Sequence, residues 1–481
     1  MSLTKLPVAW SQTTLGEVCE KVKQGKPLAD FDYIDIESVN NKLNVVECPK
    51  RLSPRTAPSR ARKPVQAGDV IFSTVRPYLK NIALVPRLTN PVASTGFCVL
   101  RSSTLSSAFI FNYVRSPSFL KLMESKQRGA SYPAVSDAVV FSAPVPVPPK
   151  QEQARIVAKI ESCFSRIDAI EESVTKAQSL LESYKASLLA KAFRGELIAQ
   201  DPNDEPASKL LERIRAERAK ANAGKKSTKD DLLSVTADEI PYEIPKSWAF
   251  ARLSELGEFC GGMTPATGND KFWTGDIPWV SPKDMKQPLI CDSIDHISTQ
   301  ALEVTRLRLL PIGSLLFVVR GMILAHSFPI ALTTAEVTIN QDIKALTPSR
   351  EIDERYLFWA MTAAKNAVLE TVKTASHGTK RLEPGTLEDW LVPIAPRTEQ
   401  NRIVEKIERM MASFERVSSD ISKVEQAKER IENSILDSAF RGNLVPQISS
   451  EGTGHDLLAQ LNPAQAAESP KPAKKKGKSK S

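Results

Sequence analysis

One segment of this chain occurs twice, and that repeat constrains the fold more than any other feature. Glu152-Gln-Ala-Arg-Ile-Val-Ala-Lys-Ile-Glu161 returns 247 residues later as Glu399-Gln-Asn-Arg-Ile-Val-Glu-Lys-Ile-Glu408. The alignment runs on without a gap to Ala192-Phe-Arg-Gly195 and Ala439-Phe-Arg-Gly442, with 17 identities over the 47 positions from Glu152 to Ile198. The same offset pairs Val145-Pro146 and Pro149 with Val392-Pro393 and Pro396, and Leu210-Leu211 with Leu457-Leu458. A period this long, in a chain of 481 residues with room for about three globular units, means that one structural unit was built twice.

The stretches ahead of the two copies also open alike. Pro7-Val-Ala-Trp10 with Leu15 matches Pro245-Lys-Ser-Trp248 with Leu253, and Leu-Gly-Glu-x-Cys occurs at Leu15–Cys19 and Leu256–Cys260. Between these openings and Val145 or Val392 the halves share little. The frame is repeated and the contents differ. This divides the chain into a first globular domain (1–148), a helical segment (149–200), a polar connector (201–241), a second globular domain (242–396), a second helical segment (397–461) and a Lys-rich tail expected to be disordered (462–481). Within the connector, 207–223 reads as a short helix.

Each repeated segment reads as one long helix. Ile156, Ile160, Cys163, Ile167, Ile170, Val174, Ala177, Leu181, Tyr184 and Leu188 follow a 4-3 spacing, as do Ile403, Ile407, Met410, Phe414, Val417, Ile421, Val424, Lys428, Ile431 and Ile435, which only Lys428 interrupts. Such a stripe is a coiled-coil seam. Pro149 and Pro396 mark the starts, and Gly195 and Gly442 the ends. A helix of about 42 residues at ~1.5 Å per residue is roughly 60 Å long. Two matching seams on one chain favour intramolecular pairing, because effective concentration is high. The spacing alone leaves both parallel and antiparallel pairing open.

Charge and motif content narrow the function. The net charge of +9 is uneven: residues 1–144 carry 19 basic and 10 acidic side chains, whereas residues 245–392 carry 15 and 17. A charge argument for nucleic acid therefore applies to the first third rather than to the whole chain. No apolar run approaches the ~20 residues of a membrane span, and the start lacks the apolar core of a secretory signal. The six cysteines form no C-x-x-C pair and the four histidines no H-x-x-x-H, which fits a reducing cytoplasm and no metal centre. Methyl transfer would need a glycine-rich cofactor loop and an Asn/Asp-Pro-Pro-aromatic tetrapeptide, and ATP hydrolysis a phosphate-binding G-x-x-x-x-G-K-[ST] loop. Neither is present, since Gly224-Lys-Lys-Ser227 lacks the leading glycine. The chain reads as a binder.

The candidate contacts follow from the basic side chains. Lys50, Arg51, Arg55, Arg60, Arg62 and Lys63 are interleaved with Pro54, Pro58 and Pro64, which forbid a helix and predict a guanidinium-rich loop suited to phosphates and base edges. Arg76 and Lys80, flanking Pro77-Tyr78, follow the strand-like Asp69–Ser73, and Arg320 follows the strand-like Ser314–Val319. Arg128-Gly129-Ala-Ser-Tyr132 compares with His377-Gly378-Thr-Lys380-Arg381. A loop from Gly261 to Lys283 offers Lys271, Trp273, Trp279 and Lys283, although both tryptophans also suit a core.

The doubled P-x-x-E-Q-x-R-I-V-x-K-I-E, the helix-ending A-F-R-G, the P-x-x-W-x-x-x-x-L openings, Gly261-Gly262-x-Thr-Pro, Asp276-Ile-Pro-Trp279 and Asn340-Gln341-Asp342 together resemble the specificity subunit of type I restriction-modification systems (HsdS). The resemblance covers nearly the whole chain outside the Lys tail. It implies an α+β architecture: two globular α/β target recognition domains, separated by two long helices that pair as an antiparallel coiled coil, with a pseudo-twofold repeat. It further implies that each domain reads half of a bipartite, asymmetric site on double-stranded DNA, while the helices set the gap. The implied partners are two modification subunits, which carry S-adenosylmethionine and methylate adenine, and two ATP- and Mg-dependent restriction subunits. No cofactor is expected on this chain, and no membrane. The alternative that the residues leave open is a freestanding two-domain DNA-binding or regulatory protein.

Overall fold

The structure, a computed structural model, describes residues 6–129, 132–222, 235–375 and 378–461. The Lys-rich tail, His377 and Gly224–Ser227 lie outside the described residues. The chain divides into two units, residues 1–175 with 422–481 and residues 176–421. Each long helix gives one half to each unit.

The first unit is built on a five-stranded sheet in the order Phe97–Leu100, Val70–Ser73, Ile82–Leu84, Val45–Val46, Val39–Asn40, and a four-stranded one in the order Lys50–Leu52, Phe31–Ile34, Val92–Ser94, Ala61–Pro64. Val70–Ser73 is buried along its length, as its unbroken apolar run requires of a central strand. Helices Ser107–Arg115 and Pro117–Ser125 start where Ser106 and Ser116 accept the Phe109 and Phe119 amides. Phe109, Ile110, Phe119 and Met123 then pack with Val70, Phe72 and Ile82 in one core.

The second unit repeats the plan. Its five-stranded sheet runs Gly257–Gly261, Ile343–Pro348, Leu315–Val318, Ile330–Thr333, Leu289–Ile290, beside a three-stranded sheet of Asp295–Ile297, Ile277–Val280 and Thr338–Ile339. Helix Glu354–Glu370 is capped by Asp353. The connector helix, Ala207–Asn222, is more than a polar link: Ala207, Leu210, Leu211 and Ile214 are buried in this unit's core.

The repeated motif has a physical role in each unit. The Trp10 indole donates to the buried Glu152 carboxylate at 3.0 Å, and Trp248 donates to the equally buried Glu399 at 3.0 Å. Gln153 accepts from the Ser106 amide and donates to the Pro148 carbonyl; Gln400 does the same with Asp353 and Ala395. Arg155 forks onto Glu451, and Arg402 onto Asp204. Glu-Gln-x-Arg thus ties the start of each long helix to its globular core and to the turn that follows the other helix. Gly195 and Gly442 close the same junctions at φ +76° and +77°, where a Cβ would stand 2.3 Å from Pro245 Cγ and 2.2 Å from Pro7 Cγ. Strands Ser11–Thr14 and Pro144–Val147 pair antiparallel at the base of the first domain, as Ala249–Arg252 and Leu391–Ile394 do in the second.

The long helices span Lys150–Ala192 and Arg397–Phe440. In the first unit Ile156 and Ile160, near the start of one helix, share a core with Leu436, Ala439 and Phe440 at the end of the other. In the second unit Leu189 and Ala192 share one with Ile403 and Ile407, and the Tyr184 and Phe414 rings meet edge to face at 5.5 Å. The helices therefore run antiparallel. Ile156, Ile160, Ile167, Leu188, Ile403, Ile407, Phe414 and Ile421 are buried, while Val174, Leu181 and Ile435 are half-buried. The seam reading fails at Ile170, Val417, Val424 and Ile431, which are all exposed, while Leu436, outside the stripe, is buried. A 3.5-residue repeat drifts by ~20° per heptad on a 3.6-residue helix, so the apolar stripe leaves the contact face where the helices do not supercoil to follow it. Lys428, the break in the seam, donates to Glu171, and this bond raises its pKa.

Candidate nucleic-acid interface

The basic stretch of the first unit is not a single loop. Lys50–Leu52 and Ala61–Pro64 are strands at opposite edges of the four-stranded sheet, joined by a turn over residues 53–60. The prolines exclude a helix, as expected, but edge strands admit proline. Where the register of Ala61–Pro64 with Val92–Ser94 shifts between Ala61 and Lys63, Arg62 is half-exposed while Lys63 is 3% exposed. Lys63 is a correction to the candidate set: its ammonium donates to the Phe97 carbonyl at 2.6 Å and to Asp137, which makes it part of the core rather than a phosphate ligand. Arg51 is held by Asp32 at 3.0 Å and by the Thr89 carbonyl, and Lys50 by Asp35 and Glu37. Arg55, Arg60 and Arg62 have no side-chain partner among the described residues and remain accessible. Lys23 and Lys26, outside the Lys50–Lys63 stretch, are exposed on a loop whose Gly25 amide donates to the Arg62 carbonyl at 2.8 Å. Their one signal in the sequence is the Lys-x-Lys-x-Gly-Lys spacing.

A second cluster rests on a pair of loops tied by their backbones. Val135 donates to the Thr74 carbonyl and Arg76 to the Pro133 carbonyl. This brings the exposed Arg128 to the same loop pair as Arg76, and the Arg76 guanidinium over the Tyr132 ring at 4.8 Å. Arg76 and Lys80 have φ +47° and +55°, and the exposed Tyr78 lies between them. Lys80 reaches Glu429 on the second long helix at 2.7 Å, which holds that carboxyl below its usual range. The second unit builds the same pair: Leu382 donates to Val319 and Gly321 to Lys380, with Arg320 opposite Arg381. Here the exposed apolar groups are Met322 and Ile323.

The second unit's cations are mostly engaged. Lys283 pairs with Asp295, Lys380 donates to Thr374 at 2.7 Å, and Arg320 stands 3.9 Å from Asp342. Lys271 is exposed and without a partner among the described residues. Trp279 is buried and Trp273 half-buried; they meet edge to face at 5.0 Å and donate to the Met263 and Ala266 carbonyls, so they suspend the 261–266 loop rather than offer their rings.

The repeated α+β frame thus carries loops whose exposed side chains differ between the two units. Among the described residues no group of His, Cys, Asp and Glu could hold a metal, and no helix is long and apolar enough to cross a membrane. The chain belongs to the family of the type I restriction modification DNA specificity domain, which matches residues 7–178 and 245–426. It is 24% identical to the EcoKI specificity subunit of Escherichia coli K12, over 99% of this chain and 100% of that protein. A shorter match, 32% identical over 182 residues, is to the EcoR124I/EcoR124II specificity subunit of Escherichia coli and spans 38% of this chain and 43% of that protein. Among solved structures, the HsdS subunit of Thermoanaerobacter tengcongensis is 27% identical, with a TM-score of 0.58 over 92% of this chain and 99% of that one. A chain from a study of assembly and conformational transition in a type I restriction-modification system is 26% identical, with a TM-score of 0.70 over 92% and 100%. These relatives are named as specificity subunits of type I restriction enzymes.

Proposed function

We propose that this chain selects the DNA site of a type I restriction-modification complex, with each unit reading one half of a bipartite, asymmetric duplex sequence. The observation that carries this reading is the contrast within the repeat. The Trp–Glu, Gln and Arg–carboxylate junctions and the paired loops recur in both units, whereas the side chains displayed on the loops do not. A shared frame offers equivalent docking faces to two copies of one partner. Unlike loops select unlike base sequences. On this reading Arg51, Arg55, Arg60, Arg62, Arg76, Lys80 and Arg128 serve one half-site, and Lys271, Lys283, Arg320, Lys380 and Arg381 the other. Two modification subunits supply S-adenosylmethionine and transfer methyl groups to adenine; two restriction subunits use ATP and Mg. The complex works where the chromosome is, in the cytoplasm.

The test is to express the chain with its modification partner in a host free of other methylation and to map modified adenines across the genome. One asymmetric, gapped motif is expected. Replacing residues 1–148 by the corresponding domain of a relative should change one half of the motif and leave the other. A change in both halves, or methylation without this chain, would refute the assignment.

A further inference from the structure

The second unit holds a cavity of about 190 Å3 at the foot of its paired loops, where Arg320, Lys344 and Arg381 converge with Glu383 and Glu388. The Lys344 ammonium is hydrogen-bonded to the Glu388 carboxylate, and both side chains are 27% exposed. Lys344 also lies 5.8 Å from the centre of the Phe259 ring. The Arg381 charge helps hold the Glu383 carboxyl below its usual range, a shift due first to Lys373. The cavity thus sets three cationic side chains beside two carboxylates. The first unit offers a contrast, because Arg55, Arg60 and Arg62 face solvent with no acid attached.

Resting on the DNA-recognition reading above, we propose that Glu388 is a phosphate surrogate that determines specificity: it occupies Lys344 until a backbone phosphodiester of the cognate duplex displaces it. A phosphate that enters here exchanges one anion for another, so the contact adds little on random DNA. On the cognate site, base-edge contacts formed at the same time tip the exchange. Glu388 thereby lowers nonspecific affinity while sparing specific affinity, and the second unit discriminates by a built-in competitor.

The experiment is salt titration of the full chain on a random-sequence fluorescent duplex. Glu388→Gln keeps the side chain's shape and frees Lys344. The slope of log K against log salt should steepen by ~0.9, so the loss of affinity between 50 and 200 mM salt grows about 3.5-fold. The double variant Lys344→Gln/Glu388→Gln should return to the wild-type slope, because the gained contact belongs to Lys344. Glu303→Gln removes the same charge from an exposed position of this unit that pairs with no cation among the described residues, and should leave the slope unchanged. If the wild type binds and Glu388→Gln keeps its slope, or if Glu303→Gln steepens it equally, the surrogate role is wrong while the recognition reading stands. If the wild type shows no salt-dependent duplex binding, the recognition reading falls, and the surrogate with it.

Discussion

Arg55, Arg60 and Arg62 provide the sharpest test of whether the first unit holds DNA. All three are accessible and uncommitted, whereas their neighbours Lys50, Arg51 and Lys63 are bound to Asp35, Asp32 and Asp137. An uncommitted guanidinium meeting a phosphate releases counterions without first breaking an ion pair, and each such contact adds ~0.9 to the magnitude of the salt slope. Replacing all three by Ala should therefore flatten the slope by up to ~2.7, which over a fourfold change in salt is about a 40-fold difference in retained affinity. The assay is fluorescence anisotropy of the chain, with its modification partner, on cognate and scrambled duplexes at 50, 100 and 200 mM salt. Equal weakening on both duplexes identifies phosphate contacts. Selective loss on the cognate duplex, worth ~1–3 kcal/mol, identifies a base edge. A triple variant with the wild-type slope and affinity on both would show that these side chains only meet water, and the argument from uncommitted charge would fail.

Other expectations concern the frame. Lys63→Ala should lower stability by about 2–3 kcal/mol in thermal melting yet leave the salt slope unchanged, because its ammonium serves the Phe97 carbonyl and Asp137. Glu399→Leu strands the Trp248 indole and Gln200 and should cost ~1–3 kcal/mol, whereas Glu399→Gln keeps an acceptor and should cost far less. Burial raises the Glu399 pKa, so the folded state holds its proton more tightly than the unfolded state. Its contribution should thus make stability fall as pH rises from the ordinary carboxyl range through the raised value, and Glu399→Gln should lose that component of the pH profile. Gly442→Ala forces a Cβ toward Pro7 in a left-handed backbone and should lower the melting temperature, whereas Gly25→Ala, which meets nothing within 4 Å, should not.

The duplication, the two long helices and their ends are legible without coordinates, because periodicity, proline and glycine act locally and the 247-residue offset stands in the chain itself. It also exposed Glu-Gln-x-Arg as a motif, but not its purpose. Only the tertiary structure joined Glu152 to Trp10 and Arg155 to Glu451, since these partners lie 142 and 296 residues apart. The antiparallel direction of the helices was likewise a tertiary matter, because a 4-3 stripe looks the same in either direction. The candidate site divides along the same line. That the region from Lys50 to Lys63 is basic and non-helical is written in its lysines, arginines and prolines. Which of its cations are available is not, because the Phe97 carbonyl and Asp137 hold Lys63 in the core beside the half-exposed Arg62, and distant carboxylates engage Arg51 and Lys80. Lys344 carried no sequence signal at all: a lysine in an apolar strand gains meaning only when the fold brings Glu388 to it. Charge is a property of residues, but the availability of charge is decided by neighbours that the chain brings together from afar.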